Sequence, residues 1–339
     1  MFNLIENLCS LRGISGREKE VRDYIIDEIK DYAHYEVDPL GNLLVFKQGQ
    51  RRSKNKVMFA AHMDEVGMIV TYITDDGFLK FSTVGGVDTR VFLGRSVIIG
   101  ENKVNGVVGL KPIHMLTRAD KLNMPEKDEL YIDIGAKDKQ EAMTMVKLGD
   151  SITFNSDIVY FGDGYLKGRA LDDRVGCAVM INMIKSNLLY DTYFAFTVQE
   201  EVGTRGAAAA AFTIAPDYAI VIETTTAADI PSVEGQKKVC SLGEGAVVGF
   251  MDNGTIYDRD LYNLAFSLGE RYGIKVQTKT MVAGGNDARA IHKSGKGVKT
   301  IAMSLPCRYL HSPSCVIKLS DAEYVKQLAR VMGEELCHA

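Results

Sequence analysis

The stretch from about Met68 to Tyr165 constrains this chain most. It holds short β-type runs and turn signals in close succession: Met68–Ile73, Asp75-Asp76-Gly77, Phe78–Val84, Gly85-Gly86, Val97–Ile99, Val107–Leu110, Tyr131–Ile134 and Ser151–Phe154. Lys139–Lys147 is the one helical candidate inside it. Short strands with frequent turns predict a small β-barrel or sandwich. The flanking segments read differently, so the sequence predicts a β-domain at 68–166 inserted into a body formed by 1–67 and 167–339. A chain of 339 residues is long enough for two such units.

The flanks alternate helices and strands. Leu4, Ile5, Leu8 and Leu11 follow a helical spacing, and a second helix carries Val21, Tyr24, Ile25 and Ile29 on one face. Ser15, with Glu18 three residues on, reads as a capping box for that helix. Two short strands flank Asp38-Pro39-Leu40-Gly41-Asn42, and the run Val57-Met58-Phe59 leads into His62. After Gly168 the expected elements are helix Asp173–Asn187, strand Tyr193–Val198, helix Arg205–Phe212, strand Tyr218–Ile222 and helix Asp258–Tyr272. Strand Lys275–Thr280, helix Asp287–Lys293 and strand Val298–Ser304 follow, then a last helix from Ser320, with Glu323 as capping partner, to about Leu336. This predicts an α/β fold with a mostly parallel or mixed central sheet sandwiched by helices.

The net charge of −4 and the lack of a strong basic run argue against a nucleic-acid partner. The apolar stretches are too short for a membrane span. Six cysteines without CxxC spacing fit free thiols in a reducing cytoplasm. The N-terminus lacks the basic and apolar regions of a signal peptide, so a cytosolic location is expected.

In sheets of this kind, ligands bind beyond the carboxyl ends of the strands. His62 and Asp64 follow the run Val57–Phe59, Asp172 and Asp173 stand at a helix start, Glu200 and Glu201 follow Tyr193–Val198, Glu223 follows Tyr218–Ile222, and His311 follows Val298–Ser304. Taken alone, His62 and Asp64 fit either a metal-binding histidine steadied by a carboxylate or a His/Asp acid–base pair. Glu200-Glu201 and Asp172-Asp173 alone read as helix starts, where acids favour the dipole. Together, so many carboxylates at one edge would repel one another unless cations neutralised them. Imidazole and carboxylate donors suit zinc, cobalt or manganese, and two cations need about five protein ligands with one shared.

The motifs Ala61-His62-Met63-Asp64-Glu65-Val66-Gly67, Gly168-Arg169-Ala170-Leu171-Asp172-Asp173-Arg174, Gln199-Glu200-Glu201-Val202-Gly203, Gly284-Gly285-Asn286-Asp287-Ala288 and Arg308-Tyr309-Leu310-His311-Ser312 occur in this order. Over nearly its whole length the chain resembles the M42 metallo-aminopeptidases, the group of glutamyl, deblocking and TET-like peptidases. The resemblance implies a dinuclear metallopeptidase domain with an inserted β-barrel that mediates dimerisation. It implies metal ligands His62, Asp172, Glu201, Glu223 and His311, with Asp172 bridging two divalent ions. It gives Asp64 the task of holding and polarising the His62 ring, and Glu200 that of general base; Asp173 would cap its helix. The activity implied is release of the first residue from peptides with a free N-terminus, by a homo-oligomer of dimers that can reach twelve subunits. Gly284, Gly285 and Arg308 are candidates for substrate contact. Two positions depart from the family pattern: Glu223 stands where Asp is usual, and Asn286 where Thr is usual.

Two other functions share these features: a related metal-dependent amidase or deacylase, and an inactive metal-binding scaffold assembled through its barrel. A free base at Glu200 speaks against the scaffold. His34, His114, His292 and His338 lack a partner pattern and read as structural or surface residues.

Overall fold

The computed structural model describes residues 1–118 and 123–338. Its centre is an eight-stranded mixed sheet. In spatial order the strands are His34–Val37, Leu43–Lys47, Thr192–Thr197, Val57–His62, Tyr218–Thr226, Lys299–Cys307, Ala246–Val248 and Val276–Thr278. The four strands from Thr192–Thr197 to Lys299–Cys307 run parallel. Val57–His62 is buried at all six positions, and a strand without a polar face needs cover on both sides of the sheet. The helix Leu171–Ile184 supplies part of that cover. It is buried almost all round, from Leu171 to Ile184, which suits an element packed between a sheet and other helices. Leu319–His338 and Arg259–Tyr272 add further cover. Among the described residues no helix is long and apolar enough to cross a membrane.

Between residues 67 and 154 six antiparallel strands close into a barrel, in the order Gly67–Ile73, Leu79–Val84, Tyr131–Asp133, Val104–Gly109, Ser96–Ile99 and Ser151–Phe154. Closure removes the unpaired edges that an open sheet would leave. Its separate core includes Met68, Leu79, Phe92, Val97, Ile99, Ile132, Ile152 and Phe154. The barrel strands stop at Phe154, short of the expected edge at 166. The next two strands, Val159–Phe161 and Tyr165–Gly168, pair with each other and with Cys315–Lys318 near the C-terminus. Their β character made them look like part of the insertion; their partner strand lies about 150 residues downstream.

Several boundaries differ from expectation. Asp173–Asn187 becomes Leu171–Ile184, Arg205–Phe212 extends to Ile214, and Asp287–Lys293 shrinks to Ala288–Ile291. The Ser15/Glu18 capping box does not form. Ser15 Oγ donates to Asp64 Oδ2 (2.6 Å), and Glu18 Oε1 accepts from the N–H groups of Gly16 (2.7 Å) and Gln199 (3.1 Å). Both side chains serve long-range contacts behind the site. Ser320 likewise lies inside a helix that already begins at Leu319.

Candidate metal centre

Strand register brings the chemistry together. Thr197 is opposite His62 and Val221 is opposite Ala60, so His62 and Glu223 leave the sheet at the same level. Beyond Thr197 the chain turns through Gln199, whose φ is 56°. That turn presents the N–H groups of Glu200 and Glu201 to the Asp64 carboxylate, at 3.0 and 3.1 Å. Ala170 (φ 54°), Tyr309 (φ 58°) and His311 (φ 56°) share the left-handed conformation that side chains rarely adopt. Such residues gather where surrounding structure forces a functional geometry. The Asp172–Asp173 peptide is cis.

Two ligand sets meet at Asp172. His62 Nε2 lies 3.4 Å from Asp172 Oδ1 and 3.4 Å from Glu223 Oε1. His311 Nε2 lies 3.3 Å from Asp172 Oδ2 and 3.3 Å from Glu201 Oε2. The two oxygens of one carboxylate therefore face two different imidazoles. The opposite nitrogen of each ring is fixed by a backbone carbonyl: His62 Nδ1 by Asp64 O (3.0 Å) and His311 Nδ1 by Gly86 O (2.7 Å). A carbonyl only accepts, so each Nδ1 carries the proton and each Nε2 is aimed at two carboxylates. Lone pair against carboxylate is repulsive, and one proton on Nε2 can satisfy only one of the two oxygens. A divalent cation between three donors removes the conflict. Asp172 Oδ1 and Glu201 Oε1 are also buried without a hydrogen-bond partner. The residues present fit two such ions, held by His62, Asp172 and Glu223 on one side and by Asp172, Glu201 and His311 on the other.

The electrostatics agree. Burial raises Glu200 well above the ordinary carboxylate range; Glu223, Asp287 and Glu201 add to this, while His62 opposes it. Burial likewise pushes Glu201 up to about 7 and Glu223 up to about 8. Burial acts on Asp172 too, but His311 and His62 hold it well below the usual value. Among the described residues no ion pair or hydrogen bond ties down the Glu200 carboxylate, although its neighbour Glu201 faces His311. Adjacent glutamates thus have different surroundings, one aimed at a ligand set and one free.

The cleft above these groups measures about 690 Å³ and is lined by His62, Asp172, Glu200, Glu201, Glu223 and His311. Gly284 and Gly285 also line it. Arg308 does not, which corrects the expectation of substrate contact: its fork is engaged by Asp229, with Nε to Oδ1 at 2.7 Å and Nη2 to Oδ2 at 2.8 Å. Asp64 is fully buried, and its role divides. Its carbonyl orients the His62 ring, whereas the carboxylate, 3.5 Å from Nδ1, holds the Glu200–Glu201 turn and Ser15. Asp173 accepts the N–H of Gly176 (3.0 Å), as a capping residue does.

Other contributors carried no signal at a strand end. Gly86, at the barrel rim, fixes His311. Behind His62, the buried Glu65 carboxylate pairs with Arg169 and approaches Arg174 Nη2 at 3.5 Å. The completely buried Arg174 donates to the carbonyls of Met63 and Leu8, each at 2.7 Å.

A hydrolase that works with divalent metal ions is the class that this fold and donor set define. A family model described as M42 glutamyl aminopeptidase matches residues 41–328, and the chain belongs to that family. Its structure resembles an aminopeptidase from the archaeon Desulfurococcus kamchatkensis with a TM-score of 0.93, at 34% identity over 98% of this chain and 94% of that one. It also resembles the TET1 peptidase of Pyrococcus horikoshii, described as assembling into a tetrahedron or a large octahedral shell, with a TM-score of 0.87 and 37% identity over 98% of both chains. The lysyl aminopeptidase of Pyrococcus furiosus is 32% identical over 99% of this chain and 97% of its own length. The protein is an aminopeptidase, a hydrolase of peptide bonds, and its family implies divalent metal ions.

Proposed function

We propose that the chain releases the first residue of peptides with a free N-terminus through a two-metal centre in which Glu200 is the general base. His62, Asp172 and Glu223 would hold one ion, and Asp172, Glu201 and His311 the other. When bound, the pair supplies Lewis acidity, which acidifies water and polarises the scissile carbonyl. Glu200 takes the proton from the attacking water and returns it to the leaving amine as the C–N bond breaks. Its raised proton affinity favours the first of these transfers. Asp64 keeps Glu200 and Glu201 in place through their N–H groups. The observation that carries this reading is the shared carboxylate: Asp172 faces two imidazoles whose Nδ1 protons are already committed.

Zinc, cobalt and manganese all suit these donors. We assign dimerisation to the barrel domain, where the exposed apolar side chains of Val107, Leu110, Ile113 and Met115 support a second copy covering them. Six such dimers on the edges of a tetrahedron would give a twelve-subunit particle. The six free, buried cysteines suit a cytosolic location.

The test is hydrolysis of aminoacyl-p-nitroanilides against their N-acetylated forms, with chelator and after metal is restored. Free-amine substrates should be cleaved, acetylated ones spared, and chelation should abolish the rate reversibly. Glu200→Gln should keep its metal and lose turnover by roughly 10²- to 10⁴-fold. Near-normal rates in that variant would remove Glu200 from the role of base.

A further inference from the structure

The loop that carries His311 is bracketed by two cysteines. Cys307 ends the strand Lys299–Cys307, and Cys315 begins the strand Cys315–Lys318. Just inside this bracket Arg308 and Val316 exchange both backbone hydrogen bonds, at 2.9 and 3.0 Å. The cysteines therefore lie diagonally across an antiparallel pair, on one face of it. Both are buried, and their thiols stand within hydrogen-bonding reach of each other. Cys307 Sγ otherwise donates to Arg308 O (3.4 Å), and Cys315 Sγ to the carbonyls of Tyr309 (3.4 Å) and Ser312 (3.3 Å). Those two carbonyls flank His311. The turn they belong to is a forced one, with Tyr309 and His311 both left-handed and Ser312 Oγ closed onto Tyr309 O at 2.6 Å. Cys315 also lines a small cavity of about 10 Å³ together with Asp172, Glu201 and His311, room for about one water-sized molecule.

The geometry points to Cys307 and Cys315 as a redox pair whose reversible disulfide distorts the loop between them and withdraws His311 from the ion it holds with Asp172 and Glu201. The inference rests on the reading of His311 as a metal ligand. Hydrogen peroxide is an oxidant close to the size of the cavity. The Cys315 sulfur attacks the O–O bond and becomes a sulfenic acid, with release of one water. The Cys307 sulfur then displaces the hydroxyl, which leaves with the second thiol proton as another water. Two thiols and one peroxide thus give one disulfide and two waters. The bond removes the thiol proton shared by the Tyr309 and Ser312 carbonyls. It also holds two Cβ atoms about 3.8 Å apart, closer than diagonal neighbours across an antiparallel pair ordinarily stand. The base of the loop is drawn together, and its turn shifts with it. His62 and Glu223 lie outside the loop and keep their positions.

The test treats zinc-loaded protein with hydrogen peroxide and then alkylates the remaining thiols. Peptide mapping without reductant should show a bridge between residues 307 and 315. Zinc per dialysed subunit should fall from about two to about one, as the affinity of one site drops by roughly 10-fold or more. Hydrolysis of aminoacyl-p-nitroanilides should fall with it, and a phosphine reductant with added zinc should restore both. Cys307→Ala and Cys315→Ala should each keep zinc and rate through the same treatment. Both cysteines remaining alkylated in the wild type, a bridge from either to another cysteine, or a 307–315 bridge with zinc unchanged overturns the inference, and none of these readings needs a variant to fold. Untreated protein that binds no zinc counts against the metal-centre reading instead, and the map still decides whether the two cysteines pair.

Discussion

Gly85→Ala should weaken one metal site and spare the other. Gly85 ends the barrel hairpin with φ +81°, and a Cβ there would lie 2.8 Å from a Val66 methyl and 3.2 Å from Glu201 Cβ. The left-handed conformation costs a side chain about 1–2 kcal/mol. The contacts are with side-chain atoms directly beside a ligand, so Glu201 has to shift. Gly86 shifts with it, and its carbonyl fixes the His311 ring. Both disturbances fall on the set Asp172, Glu201 and His311. His62 and Glu223 stand on central sheet strands, and the His62 ring is fixed by Asp64 rather than by the barrel. Disturbing the groups that orient a ligand lowers metal affinity by roughly 10- to 100-fold. Metal titration by calorimetry, with metal content measured after dialysis, should show one weakened site and one unchanged. Equal losses at both sites, or a lower melting temperature with both affinities intact, would refute the barrel's role in holding His311 and Glu201.

Glu65→Ala should destabilise the fold by about 3–5 kcal/mol, because it strips a buried counter-charge from Arg169 and Arg174; denaturant unfolding measures it, and a loss under about 1 kcal/mol would contradict the pairing. Arg308→Ala should leave KM for aminoacyl anilides essentially unchanged, since its guanidinium is occupied by Asp229; a large rise in KM would return it to the substrate site. Ser15→Ala should lower turnover more than metal content, because Ser15 contacts the carboxylate that holds the Glu200 turn and none of the five ligands; metal loss equal to the loss of rate would contradict that.

Parallel strands deliver their ends to one edge, a rule that needs only strand positions and residue types and that made the cluster of imidazoles and carboxylates legible; the resemblance to the family singled out the five ligand candidates among them. His62, Glu201, Glu223 and His311 follow the strand-end rule, and Asp172 stands at the start of the helix that covers the same sheet. What strand ends do not reveal is where side chains find partners across sequence. Arg308 looked free because Asp229 lies 79 residues away. Ser15 and Glu18 looked like a local cap because their spacing is right, yet both are used by Asp64 and the Gln199 turn. Gly86 reaches the centre from the inserted barrel, 225 residues before the ring it fixes. The barrel was legible as short alternating runs, but its boundary was not, since the strands at 159–168 are equally β-like and differ only in their partner.

The central claim is that Asp172 is shared by two cations. The most direct measurement is bound metal per subunit, by mass spectrometry of dialysed protein, in wild type and in Asp172→Ala, Glu223→Ala and His311→Ala. A shared carboxylate predicts about two ions in the wild type, about one in each of the Glu223 and His311 variants, and loss of both in Asp172→Ala. A wild-type protein that holds a single ion when saturated, or an Asp172→Ala variant that keeps one site at full affinity, would contradict it.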